Sequence, residues 1–151
     1  MLGLLEDHQA RARWLAVLAE IRGVPVAHAH RGTGYGELFE AMVLLHQGFP
    51  DAAYDVLTRQ TRDGLFPFVF TQWSAATLAE AAVLAHAPDN DSLLLRAKTS
   101  SRGNPIATAI TARASALKTG DKSTLETLAD DLAPHSSYQA TRTRTLAAGQ
   151  P

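Results

Sequence analysis

Cysteine is absent from this 151-residue chain, which excludes disulfides, thiolate zinc sites and thiol nucleophiles. No apolar run approaches the roughly 20 residues that a membrane-spanning helix needs. The opening MLGLLEDHQ has no basic stretch and meets Glu6 and Asp7 at once, so it does not read as a secretory signal. Excess charge of either sign is missing as well. With 14 Lys and Arg against 15 Asp and Glu, the net charge of -1 gives no whole-chain attraction to nucleic acid or to an anionic membrane. There is no Walker-type phosphate loop, no HExxH and no carboxylate pair at a diagnostic interval. A cytoplasmic location without direct nucleic-acid or membrane partners is the expectation these absences leave.

What is present is apolar and helical in pattern. Hydrophobic residues make up 46% of the chain and charged ones 19%, a balance that folds rather than stays disordered. At this length one domain can bury roughly 70% of its unfolded surface, so residues 1–151 are read as a single domain. Its centre is Phe70 to Ala87, FTQWSAATLAEAAVLAHA, without glycine or proline. A helix apolar on nearly every side needs neighbours on both flanks. Its alanines let other helices approach, and Trp73, Leu78, Val83 and Leu84 supply the bulk that interlocks with them.

Helix signals follow one another along the chain. Leu4 to about Ile21 has a three-and-four apolar spacing and stops at Gly23 and Pro25. The glycine-dense stretch up to residue 34 is a loop, so residues 1–34 are a helix and a connection. Tyr35 to Gln47 ends at Gly48, and Phe49-Pro50-Asp51 turns into a helix running to about Arg62. After the central helix, Pro88 to Asp91 is a turn rich in caps, and Ser92 to about Ser101 a shorter helix. Gly103 and Asn104 stop it. Pro105 opens an Ala-rich helix to Thr119, which Gly120 ends. Asp121 or Ser123 caps the next, with Leu125, Leu128, Ala129 and Leu132 on its buried edge. Tyr138 to Ala148 is the last.

These elements recur. The first helices of successive pairs begin near Tyr35, Phe70, Pro105 and Tyr138, spacings of 35, 35 and 33 residues. One helical hairpin per unit of about 34 residues is the mark of tetratricopeptide-like stacking. The fold class expected is therefore all-α, with tetratricopeptide-like antiparallel hairpins in a right-handed array, three hairpins plus a final helix over residues 35–149.

Several residues invite a functional reading. Phe66, Phe68, Phe70 and Trp73 put four of the ten aromatics within eight residues. Core filling between two hairpins is the expected role, with a ligand pocket as the alternative. His28 and His30, with Glu37, His46 or His8, could hold one metal ion. The loop Gly32-Thr33-Gly34-Tyr35-Gly36 resembles a phosphate cradle only superficially, since no Lys-Ser/Thr follows it. Arg96, Lys98, Arg102, Arg113, Arg142 and Arg144 lie among Glu126, Asp130 and Asp131 and read as a solvated mixed-charge face. Glu80 and Arg113 stand inside apolar helices, where a charge must be paired or face a groove. An ion pair between neighbouring repeats is the first expectation for them.

From Trp73 onward, AEAAVLA (79–85), GNPIATAITARASAL (103–117) with Gly120-Asp121, and SYQATRTRTLAAG (137–149) resemble the helical-repeat region of ATP-dependent LuxR-type, MalT-like regulators and related ATPase or cyclase signalling proteins. The resemblance covers roughly Phe70 to Gly149, and its most specific element is the Tyr138–Arg144 run. It implies a segment standing between an ATPase module and a LuxR-type helix-turn-helix. Neither flanking module's signature is found in this sequence. The implied role is non-enzymatic, with no cofactor. It is that of a protein-interaction or effector-sensing module whose groove binds a protein or peptide partner or a small effector, with Trp73, Thr77, Glu80, Arg113 and Tyr138 as the groove residues. Apolar ends of such an array favour a homo-oligomer. The alternative is a small metal-dependent helical enzyme using His28, His30 and His46.

Overall fold

The computed structural model describes residues 35–63 and 68–149, together with Gln9, Ala12, Arg13 and Ala16. Those four isolated residues are helical and exposed. Ala12, an apolar residue within the stretch of three-and-four apolar spacing from Leu4 to about Ile21, is exposed. The rest of that stretch, the histidines of the 24–34 loop, and Phe66 lie outside the described residues.

The described chain is all-helical, with seven helices and no strand among the described residues: α1 (Tyr35–His46), α2 (Pro50–Asp63), α3 (Phe68–Leu84), α4 (Asn90–Ser100), α5 (Pro105–Thr119), α6 (Lys122–Leu132) and α7 (Ser137–Ala147). None is long and apolar enough to cross a membrane. Each helix packs on the next, and the odd-numbered helices also touch in succession, α1 on α3, α3 on α5 and α5 on α7. The odd helices start 33, 37 and 32 residues apart.

Local chemistry sets the boundaries. The Asn104 side chain caps α5 by accepting the Ala107 N–H at 3.0 Å, and Pro105 follows where its missing N–H costs nothing. Asp121 caps α6 through the Thr124 N–H, and Ser136 caps α7 through that of Gln139. Helices α1, α3 and α5 end on the same device, a residue in the left-handed region followed by an amide that reaches five residues back. The pairs are Phe49 N–H to Leu44 O, Ala87 N–H to Ala82 O and Asp121 N–H to Ala116 O. Gly48 and Gly120 supply the left-handed residue in two of them; His86, at φ 52°, supplies the third.

That third stop corrects the central helix, expected over Phe70–Ala87 and found over Phe68–Leu84. The helix stops at Leu84, three residues short of Ala87, because His86 turns the chain. In the turn expected to be rich in caps, Asp89 stands just before α4, which starts at Asn90 rather than Ser92, and makes no side-chain cap bond. Its carboxylate accepts the Tyr54 hydroxyl at 2.9 Å and so joins the α3–α4 turn to α2.

The apolar core lies on both sides of α3. Leu78 and Ala81 pack with Ala41, Leu45, Ala53 and Leu57 of α1 and α2. Ala79 and Val83 pack with Leu94, Ala97 and Ala114 of α4 and α5. A third cluster joins Ala76 to Ala107 and Ile110, with Trp73 and Ile106 at its edge. Alanines with no exposed area at 76, 79, 81 and 82 are what bring helices close around α3. Trp73 is thus half-buried against α5, and Phe70 is half-buried at the start of α3.

Candidate functional site: a buried charge cluster

Close approach around α3 encloses a polar group as well as apolar ones. Glu80 lies one turn beyond Thr77 on α3, and both are buried, Glu80 to 1% exposure. Arg113 of α5 donates to Glu80 Oε2 from Nε at 3.0 Å and from Nη2 at 2.5 Å. Arg142 of α7 donates to Glu80 Oε1 from Nε at 3.1 Å and from Nη2 at 2.7 Å. One carboxylate is held by two side-on guanidinium forks, the geometry in which charge-assisted bonds are strongest.

The third nitrogen of each guanidinium is also engaged. Arg113 Nη1 reaches Gln139 Oε1 and Thr143 Oγ1, each at 2.9 Å, and the Gln139 carbonyl at 3.4 Å. Thr143 in turn donates to the Gln139 carbonyl at 2.7 Å. Arg142 Nη1 donates to the Leu45 carbonyl at 2.8 Å, a bond between residues 97 apart. Just beyond, the Tyr138 ring meets His46 with centroids 5.9 Å apart. Helices α5 and α7 therefore converge on one carboxylate of α3, and α1 joins the cluster through the Leu45 carbonyl. Exposures of 2% for Arg113 and 7% for Arg142 place two positive charges and one negative charge out of water together, and neutral oxygens from Leu45, Gln139 and Thr143 spread the surplus positive charge.

Burial alone would raise the pKa of Glu80. The attraction of Arg113 and Arg142 and their hydrogen bonds override it and hold the carboxyl below the ordinary carboxylate range. Glu80 is therefore locked as an anion and is no acid or base poised near neutrality. Tyr138 is pushed up by burial, with Glu80 adding to that effect and the two arginines opposing it.

No protein family, curated protein or solved structure matches the chain.

The five groove candidates are placed as follows. Glu80 and Arg113 bond to each other inside the chain, Thr77 is buried beside them, Trp73 belongs to the α3–α5 apolar cluster, and Tyr138 borders the charge cluster from α7. The solvated-face reading fails for two of its arginines. Arg113 and Arg142 are buried, whereas Arg96, Lys98, Arg102 and Arg144 are exposed, the last bonded to Asp130 at 2.9 Å. Arg142, Gln139, Thr143 and the Leu45 carbonyl were missed as cluster members. The available signal was position: Gln139, Arg142, Thr143 and Leu146 recur at helical spacing, so Arg142 shares the inward stripe of a buried leucine.

Among the described residues no three His, Asp or Glu side chains stand close enough to hold a metal. His8, His28 and His30, on which that reading rests, lie outside the described residues; His46 is exposed and Glu37 half-buried on α1.

Proposed function

We propose that this chain is a non-enzymatic, cytoplasmic helical-repeat module that binds a protein or peptide partner, or a small effector, in bacterial signalling or transcriptional control. In this reading the helix pairs are tetratricopeptide-like hairpins stacked in a right-handed array. The segment corresponds to the one between the ATPase and the LuxR-type DNA-binding domain of MalT-like regulators, and the chain associates with itself. Support comes from the odd helices, which touch in succession and, in three cases, end on the same left-handed stop. In a stack of hairpins the first helix of each unit faces its counterparts along one side.

The observation that carries the proposal is the convergence on Glu80. A carboxylate of the second unit is reached by arginines of the third and fourth while the carbonyl of the first completes the set. Every charged group in the cluster is spent on another, so the arrangement serves to fix helices in place, as a binding scaffold requires, rather than to move a proton.

The test is co-expression of the chain with the separated ATPase module and the LuxR-type domain of such a regulator, followed by light scattering of the purified species. A complex of defined stoichiometry supports the proposal. A chain that stays alone and as one copy with both modules, and that carries stoichiometric zinc, manganese or iron lost in the His28→Ala/His30→Ala variant, would replace it with the metal-enzyme reading.

A further inference from the structure

We infer that α6 and α7 form a cap that undocks as one unit from the α1–α5 body, with the Arg142–Glu80 contact as its catch. The inference concerns the mechanics of the fold and holds whatever the chain binds.

Three observations carry it. First, the apolar clusters knit α1 through α5 and none takes a residue from α6 or α7. The buried apolar side chains of the cap, Leu125, Ala129, Leu132, Ala140 and Leu146, fall outside them, and α7 packs chiefly on α6. Second, the bonds that cross from α7 to the body are polar. Arg142 goes to Glu80 and Leu45, and Gln139 and Thr143 receive Arg113; the His46–Tyr138 ring pair accompanies them. Third, the joint is a glycine. Gly120 holds φ +71 between α5 and α6, and glycine is the residue whose backbone can leave that conformation for others at the least steric cost.

The energetics favour a catch over a weld. A buried ionic cluster fixes orientation strongly but adds little net stability, because leaving the interior restores the hydration of every charge. Apolar burial has no such compensation; three apolar clusters hold the α1–α5 body together, while the cap is joined to it by the packing of α6 on α5 and the polar bonds of α7, so the body outlasts the docking of the cap. Undocking leaves Glu80 paired to Arg113 as a neutral couple on the body, and Arg142 as a free cation on the cap. Anything that presents a carboxylate to Arg142 holds the cap open.

Native-state hydrogen exchange on the full chain, followed by mass spectrometry at increasing sub-denaturing urea, tests this. Peptides from residues 122–147 are expected to open earlier and with a smaller urea dependence than peptides from residues 70–84. In Arg142→Met, exchange in α6 and α7 is expected to rise about tenfold or more, with α3 unchanged. A second readout is fluorescence of Trp73 in a Trp14→Phe background, which reports the body and should change at higher urea than the far-ultraviolet helical signal. If α3 and α7 exchange through one shared opening in the wild-type chain, with the same urea dependence, the cap is part of the body and the inference is overturned, whether or not the variant folds.

Discussion

Replacing Glu80 by glutamine changes one oxygen for an amide and leaves helix propensity nearly the same, so it isolates the charge. In the wild-type cluster each carboxylate oxygen accepts two guanidinium N–H groups. A glutamine offers one such oxygen and turns a donor toward the other arginine, and two guanidiniums then remain buried without a counter-ion. Removing one partner of a buried pair costs about 3–5 kcal/mol, against a total stability on the order of 5–15 kcal/mol for a domain. At about 2–4 °C per kcal/mol for a chain of this size, the melting temperature of Glu80→Gln should fall by roughly 6–20 °C. Urea and thermal unfolding followed by circular dichroism at pH 7 measure this directly. The triple variant Glu80→Leu/Arg113→Met/Arg142→Met removes all three charges and should recover most of the loss, since well-packed apolar groups replace buried ion pairs at little cost. A Glu80→Gln chain within about 1 kcal/mol of wild type would refute the reasoning, because it would mean that water or relaxation already shields the arginines.

Three further outcomes are expected. The folded-state pKa of Glu80 lies below its ordinary value of 4.5, so its contribution is complete above that value and is lost as pH falls through the folded pKa; stability curves from pH 7 to pH 3 should show this acid-limb loss, diminished in Glu80→Gln. Asn104→Ala removes the side-chain acceptor at the start of α5 and should cost about 1 kcal/mol in urea unfolding, with Asn104→Asp close to wild type. His86→Gly should raise stability by roughly 0.5–1 kcal/mol by relieving a left-handed residue that carries a side chain, whereas Gly120→Ala, at a left-handed glycine, should lower it by a similar amount; paired thermal melts decide both signs.

Where the sequence carries strong punctuation, the helices were legible from it. Asn104, Pro105, Gly120 and Asp121 mark both ends of α5 and the start of α6, and the structure places them there. The end of α3 was not legible, because histidine in a left-handed turn leaves no mark that glycine would. The cap-rich turn from Pro88 to Asp91 was legible as a turn, but not that a tyrosine from another helix would claim the Asp89 carboxylate. In the charge cluster, the Glu80–Arg113 pairing followed from electrostatics alone, since two charges inside apolar helices need each other. Arg142 was read as solvated because the inward stripe of α7 carries a single large apolar residue, Leu146, to mark it. Its partners come from helices up to 97 residues away, a convergence that only tertiary packing creates.

The reach of the Arg142–Leu45 bond has a consequence for biosynthesis. Synthesis proceeds from the N-terminus at roughly 5–20 residues per second and domains fold as units on the way. Glu80 and Arg113 are thus synthesised, and emerge, before the helix that completes their surroundings. Until that helix arrives, the nascent chain keeps its central carboxylate within reach of water or of a chaperone, and its final compaction must wait for the last dozen residues of the described fold.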